Sequence, residues 1–297
     1  MDMRDAFFAS LYKIIEKDKN VYLVTPDHGA FGVDKIRQDF PDQYLNVGIA
    51  EQNTISIAAG LALSGKIVYI YGIINFIILR CLEQINIDIA SMNLHINIVG
   101  VGAGFTYSTD GPTHHGTQDI AMMSAIPNFK IYNCSDAINT NAFAKIGYEE
   151  KGPKYIRIEK GELPKLYTTP FENNGISRVI NGDETTIVSS GRMVHRAIGV
   201  SNQLLDLGKK VNVLDVYQLK PFQSDAFVEL IGGSRLLVIL EDNVANGGLA
   251  DKVCSALVDY GLTLKVLKLN VDDAFCFEYS IDRNWVEQQA IGREFLI

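Results

Sequence analysis

The chain lacks most of the features that would assign it to a class at sight. Its four cysteines, Cys81, Cys134, Cys254 and Cys276, lie far apart with no paired spacing. That pattern excludes a disulfide framework and a zinc-ligand set, and it predicts reduced thiols in a cytoplasmic protein. No apolar run approaches the ~20 residues a membrane span needs. The opening Met1-Asp2-Met3-Arg4-Asp5 is charged and helical in character, unlike a signal peptide. There is no basic block, and the formal net charge is −8, which excludes a protein that binds nucleic acid by neutralising phosphates. Internal repeats and low-complexity tracts are also missing.

What is present is alternation. Phe7, Phe8, Leu11, Ile14 and Ile15 fall on one face of a helix predicted from about residue 4 to 17. Short apolar runs at 21–24, 67–71, 96–101, 131–133 and 155–158 read as strands separated by helices, and a further set recurs at 186–189, 211–216, 236–240 and 264–269. Strand-helix alternation of this kind means mainly parallel sheets with helices on both faces. Between the two sets, Gly161, Pro164, Pro170, Asn173-Asn174-Gly175 and Asn181-Gly182 interrupt the pattern, the composition of a linker. The expected fold class is therefore α/β: two doubly wound, three-layer domains, residues 1–165 and 185–297, joined by a linker over 166–184 of the 297 residues.

Two stretches carry chemistry. In Asn46-Val47-Gly48-Ile49-Ala50-Glu51-Gln52-Asn53 a short strand ends at Gly48 and a helix begins, with Ile55, Ala58, Ala59 and Ala62 at the spacing of one buried face. Glu51 then lies in the first turn of a buried helix at the carboxyl end of a strand, where open α/β sheets place ligands. A first-turn glutamate can also do no more than complement the helix dipole. The second stretch, Thr109-Asp110-Gly111-Pro112-Thr113-His114-His115-Gly116, sets a carboxylate and two imidazoles around a rigid turn, again past a buried strand. His114 and His115 are adjacent, which does not suit two ligands converging on a metal. Gly100-Val101-Gly102-Ala103-Gly104 lacks the spacing of a dinucleotide loop and reads as a turn for close backbone approach. His28, after the first strand, is either a substrate contact or a surface-loop histidine.

Together the two stretches resemble the transketolase family and its relative deoxyxylulose-phosphate synthase, and Ala125-Ile126-Pro127-Asn128 resembles the segment that follows the substrate loop there. The resemblance covers essentially the whole chain but only the carboxyl-terminal half of a full-length transketolase. It names the first domain as the pyrimidine-binding domain of a thiamine-diphosphate enzyme and the second as the transketolase C-terminal domain. It implies that Glu51 hydrogen-bonds ring N1′ of the cofactor and so makes its 4′-nitrogen basic, and that Phe76 packs on the pyrimidine. Ile49 and Arg80 are the further cofactor-side candidates. His114 would bond the donor's oxygens and shuttle protons, and Asp110 would read a sugar hydroxyl. His115 and His28 would face substrate, and Arg157 would grip a substrate phosphate. Glu241-Asp242-Asn243 resembles a structural turn of the second domain.

Two departures shape the expectation. No basic residue stands near Gly102-Ala103, where the family holds sugar phosphate, which points to a less phosphorylated, differently phosphorylated or nucleotide-linked acceptor. The Gly-Asp-Gly motif with its following Asn, which holds Mg²⁺ and the diphosphate, is absent. The resemblance thus implies the C-terminal subunit of a split transketolase, moving a two-carbon ketol unit between sugars. An N-terminal subunit would carry the diphosphate-binding domain and hold most of the Mg²⁺ site in an α₂β₂ assembly. A deoxyxylulose-phosphate-synthase-like activity, a 2-oxo-acid dehydrogenase β subunit and a non-catalytic scaffold of the same fold are the alternatives. No nucleic-acid or membrane partner is expected.

Overall fold

The protein is described from a computed structural model over residues 1–291; the last six residues of the expected second domain lie outside the described residues. The first half runs α1 (Met3–Lys17), β1 (Val21–Thr25), α2 (Phe31–Asp39), β2 (Tyr44–Asn46), α3 (Glu51–Leu63) and β3 (Ile67–Ile73). After β3 comes an irregular helical stretch: a π-helical turn Asn75–Leu79, the short α4 (Leu82–Gln84) and a second π-helical turn Ile85–Ala90. Then follow β4 (Ile96–Val101), α5 (Asp119–Ala125), β5 (Lys130–Asn133), α6 (Ala137–Glu149) and β6 (Lys154–Ile158). Local chemistry fixes several of these ends. Asp2 caps α1 by accepting from the Arg4 amide. Asp136 caps α6, and Asn139 returns the bond in a capping box.

The second half runs β7 (Ser177–Ile180), β8 (Thr185–Ser189), α7 (Met193–Asp206), β9 (Val211–Asp215), β10 (Gln218–Lys220) and α8 (Ser224–Leu230). It ends with β11 (Leu236–Val244), α9 (Leu249–Asp259), β12 (Lys265–Val271) and α10 (Arg283–Ile291). The strands form two sheets, ordered β10-β5-β6-β4-β3-β1-β2 and β12-β11-β8-β9-β7. Every pairing is parallel except those of β10 with β5 and β7 with β9. The α/β class and its mainly parallel sheets are as expected.

Side-chain alternation along β3 shows why both faces are covered. Val68 and Ile70 enter a core with Ile55, Ile96 and Ile98, whereas Tyr69 and Tyr71 enter another with Phe7, Phe8 and Phe143. Each such fully buried large side chain contributes roughly 1.5–3 kcal/mol. Two features differ from expectation. The stretch read as linker contains β7, and β10 leaves the second half to pair on the first sheet. Strand β3 runs straight into the π-helical turn, with a single residue, Ile74, between them. No described helix is long and apolar enough to cross a membrane.

Candidate active site

Four neighbouring parallel strands, β4-β3-β1-β2, end on one edge of the first sheet, and the residues following each meet there. At the end of β2, Asn46 Oδ1 accepts from the amides of Asp27 at 3.1 Å and Gly48 at 2.9 Å, tying the β1 and β2 exits together. Gly48, at φ 78°, makes the turn that a side chain would resist. Glu51 is the first residue of α3 and is only 4% exposed. Thr54, Ile55, Ala58 and Ala59 are buried behind it on the same helix face. One of its oxygens, Oε2, receives Nη1 of Arg80 at 2.8 Å, and Arg80 itself is half exposed.

Arg80 follows the π-helical turn after β3, with its guanidinium 5.1 Å from the centroid of Phe76. The half-buried Phe76 ring is the hub of the site. His28, from the β1 exit, stacks on it at 6.1 Å, and His114, from the β4 exit, meets it edge-on at 5.0 Å. His114 is held by Thr113 Oγ1 at 2.9 Å from Nδ1 and by the ring of Tyr107 at 5.8 Å. Asn75 donates to the Pro112 carbonyl at 3.3 Å, joining the β3 exit to the His114 loop. The loop is closed at its base by Gly104 and Gly116, whose amides and carbonyls exchange bonds of 2.9 and 2.8 Å. Gly104 has no room for a Cβ against Asp242. Burial lowers the His28 pKa, as expected for a cation taken out of water.

The remaining predicted residues lie elsewhere. Ile49 is 80% exposed on the turn before α3. Asp110 is exposed at the loop tip, its backbone amide bonded to Tyr107 O at 2.9 Å. His115 turns away from His114 and packs on Phe105 at 4.8 Å, beside Val271 and Cys276 of the second half. Burial, helped by the charges of His114 and Arg283, pushes its pKa down to about 4, so it is neutral at pH 7. That placement corrects the expectation that His115 faces substrate.

Arg157 requires the same correction. It sits inside β6, every residue of which is buried, and its guanidinium is fully enclosed. Nε bonds Asp119 at 2.9 Å, while Nη2 bonds the Gly116 carbonyl at 2.8 Å and Asp242 at 3.2 Å. Burial works against its charge, but these carboxylates outweigh it and hold the guanidinium protonated. A cation neutralised on both sides by protein acids does not present itself to a substrate phosphate.

Sequence reading missed two residues. Tyr107 walls His114, and exposed Lys160, just past the end of β6, places Nζ 5.2 Å from the centroid of that same tyrosine. We expect Lys160→Ala, at an exposed position, to leave thermal stability unchanged. Arg157→Ala should instead cost about 3–5 kcal/mol of stability by stranding buried acids. Thermal melts of the two variants check this, and an unchanged melt for Arg157→Ala would show that its guanidinium is not a structural cation.

The comparisons with known proteins agree with this layout. Residues 1–165 match the family description "Transketolase, pyrimidine binding domain", and residues 176–283 match "Transketolase, C-terminal domain". One subunit of the apulose-4-phosphate transketolase of Phocaeicola vulgatus is 29% identical, the match covering 89% of this chain and 86% of that protein. A transketolase C-terminal section of Methanocaldococcus jannaschii is 30% identical over 92% of this chain and 87% of its own. A split-gene transketolase solved as an inactive β4 tetramer superposes with a TM-score of 0.88 at 26% identity, covering 100% of this chain and 96% of that one. The chain belongs to the transketolase family, as the counterpart of its pyrimidine-binding and C-terminal domains.

Proposed function

We propose that this chain is the C-terminal subunit of a split transketolase, moving a two-carbon ketol unit from a ketose donor to an aldose acceptor. The observation that carries the reading is Glu51, a buried carboxylate whose bonded partner is a half-exposed arginine beside an aromatic ring that also meets His114. Those residues fit thiamine diphosphate. Glu51 would take ring N1′ once Arg80 yields, Phe76 would pack on the pyrimidine, and Ile49 and Arg80 would border it. When bound, the cofactor supplies the carbon nucleophile for breaking and making the carbon-carbon bond.

The chain's own residues then do the following. Glu51 would hold the ring nitrogen in the state that makes the neighbouring amino group basic. His114, edge-on to Phe76, would hydrogen-bond the substrate oxygen on which negative charge develops and pass its proton back. Asp110, at the exposed tip, reads a sugar hydroxyl. His28 narrows the entry as a neutral imidazole. Lys160, beside Tyr107, receives the anionic end of the acceptor in place of Arg157. The Phocaeicola vulgatus relative is named for a sugar phosphate, which accords with an exposed lysine at that point.

The diphosphate and Mg²⁺ are held mainly by an N-terminal subunit in an α₂β₂ heterotetramer. Two observations support a partner: the naming of the Phocaeicola vulgatus relative as one subunit of its enzyme, and the inactive β4 state of the structural neighbour. The four described cysteines are unpaired, in keeping with a cytoplasmic enzyme. The test is reconstitution with the N-terminal subunit, thiamine diphosphate and Mg²⁺, followed by a panel of aldoses with a ketose donor and, separately, pyruvate. Ketol transfer by the pair and none by the isolated chain is the expected result. Transfer by the chain alone would remove the partner requirement, and turnover of pyruvate with no ketol transfer would move the assignment to a synthase-like or dehydrogenase activity.

A further inference from the structure

The loop that carries Asp110 and His114 is held from the far end of the chain. Arg283, the first residue of α10, reaches back with three of its nitrogens. Nη2 donates to the Ala103 carbonyl at 3.0 Å, Nη1 to Thr106 Oγ1 at 3.1 Å and to Glu159 Oε2 at 2.6 Å, and Nε to Glu287 Oε1 at 2.7 Å. Thr106 is bonded in turn to Glu159 and, at 2.7 Å, to the Ala103 carbonyl. Glu287 is 2% exposed and is also held by Arg196 of α7 at 3.0 Å and by Arg192, just before that helix, at 3.4 Å. The segment before α10 follows the loop. Ser108 Oγ donates to the Ser280 carbonyl at 2.7 Å, the Ser280 amide donates to Ser108 O at 3.3 Å, and the Tyr279 ring lies against Gly111.

We infer that Arg283 is a positioning residue for ketol transfer, clasping the near arm of the 103–116 loop so that His114 stays against Phe76 and Tyr107. The guanidinium is spent on protein groups and is not a phosphate anchor, although it occupies the neighbourhood of Gly102-Ala103 where the sequence has no basic residue. A loop with positive φ at Gly102, Gly104 and Gly111 has little backbone preference of its own for one shape. Bonds within the loop close its base, and bonds from outside anchor it in place; the guanidinium supplies two of the latter on one rigid fork. Through Glu287 the fork is braced on α7, so the second half of the chain sets the geometry of a site built on the first sheet. This inference rests on the reading of His114 as the proton-handling group.

The experiment compares Arg283→Gln, Arg283→Lys and Thr106→Val with wild type by hydrogen exchange of the full chain and by kinetics of the two-subunit complex. In Arg283→Gln the amides of Gly104, His114 and Gly116 should exchange about tenfold faster, while those of α3 keep their wild-type rates. The transfer kcat should fall by a similar factor, with thiamine diphosphate affinity unchanged. Thr106→Val, which leaves the buried acids paired, should show a smaller change of the same kind, and Arg283→Lys should recover part of both. Emission of Trp285, the single tryptophan of the chain, reports whether α10 stays docked. If Arg283→Gln loosens the whole chain, Thr106→Val decides. Unchanged loop exchange, or a loosened loop with full kcat, overturns the inference. A wild-type complex that transfers nothing would sink the reading of His114, yet the exchange comparison would still show whether Arg283 holds the loop.

Discussion

Glu51→Gln and Glu51→Ala should each lower ketol transfer by the reconstituted complex about 10²–10³-fold, the usual loss when one preorganised hydrogen-bonding partner is removed from a catalytic site. The neighbouring described residues offer no ready substitute: buried Glu159 is paired with Arg283, Asp110 is exposed at the loop tip, and Arg80 carries the wrong charge. Glutamine keeps the shape and an oxygen acceptor but cannot exchange a proton with a ring nitrogen, so it should fare little better than alanine. A second readout isolates the step: deuterium exchange at C2 of bound thiamine diphosphate, followed by NMR, should slow by a comparable factor. Turnover within about threefold of wild type in both variants, less than a single neutral hydrogen bond is worth, would leave no cofactor role for Glu51.

His114→Ala should reduce kcat about 10²–10⁴-fold, the range for a lost general acid-base group, with thiamine diphosphate affinity close to wild type. The separation follows from geometry, since His114 meets Phe76 only edge-on at 5.0 Å and makes no bond to Glu51 or Arg80. His28→Ala offers the contrast. That ring lies flat along Phe76 at 6.1 Å with an unpartnered, buried Nδ1, so its removal should act on acceptor KM more than on kcat. Equal losses of cofactor affinity and kcat in His114→Ala would show that the imidazole only packs.

The sheet and the two site stretches were legible because their signals are local. The apolar runs alternate with helical periods, and the buried positions of α3 recur at three and four residues, so Glu51 could be placed in its turn without coordinates. Arg157 and Lys160 show the difference between a place inside a buried strand and one just beyond its end. Tyr155-Ile156-Arg157-Ile158 is continuous with a strand buried on both faces, so an arginine inside it had to be enclosed and neutralised. A residue just beyond the carboxyl end of such a strand comes out where ligands bind, and that rule favoured Lys160. His115 was misplaced because nothing in the pair His114-His115 records that one ring meets Phe76 and the other packs on Phe105. The clasp by Arg283 was out of reach for a different reason: its contacts cross as many as 180 positions of sequence, and no periodicity records such a pairing. β7 and β10 are four and three residues long, too short to show an apolar period.

The antiparallel strand β10 has one more consequence. Gln218–Lys220 is threaded out of the later half of the polypeptide to hem the rim of the earlier sheet along β5, and Lys220 reaches further, donating to Ser124 O at 2.9 Å and to the Ile126 carbonyl. Severing the chain between its two sheets would strip that hem and bare a raw row of amides and carbonyls, an invitation to self-association. The halves are stitched rather than hinged, and they should melt as one body.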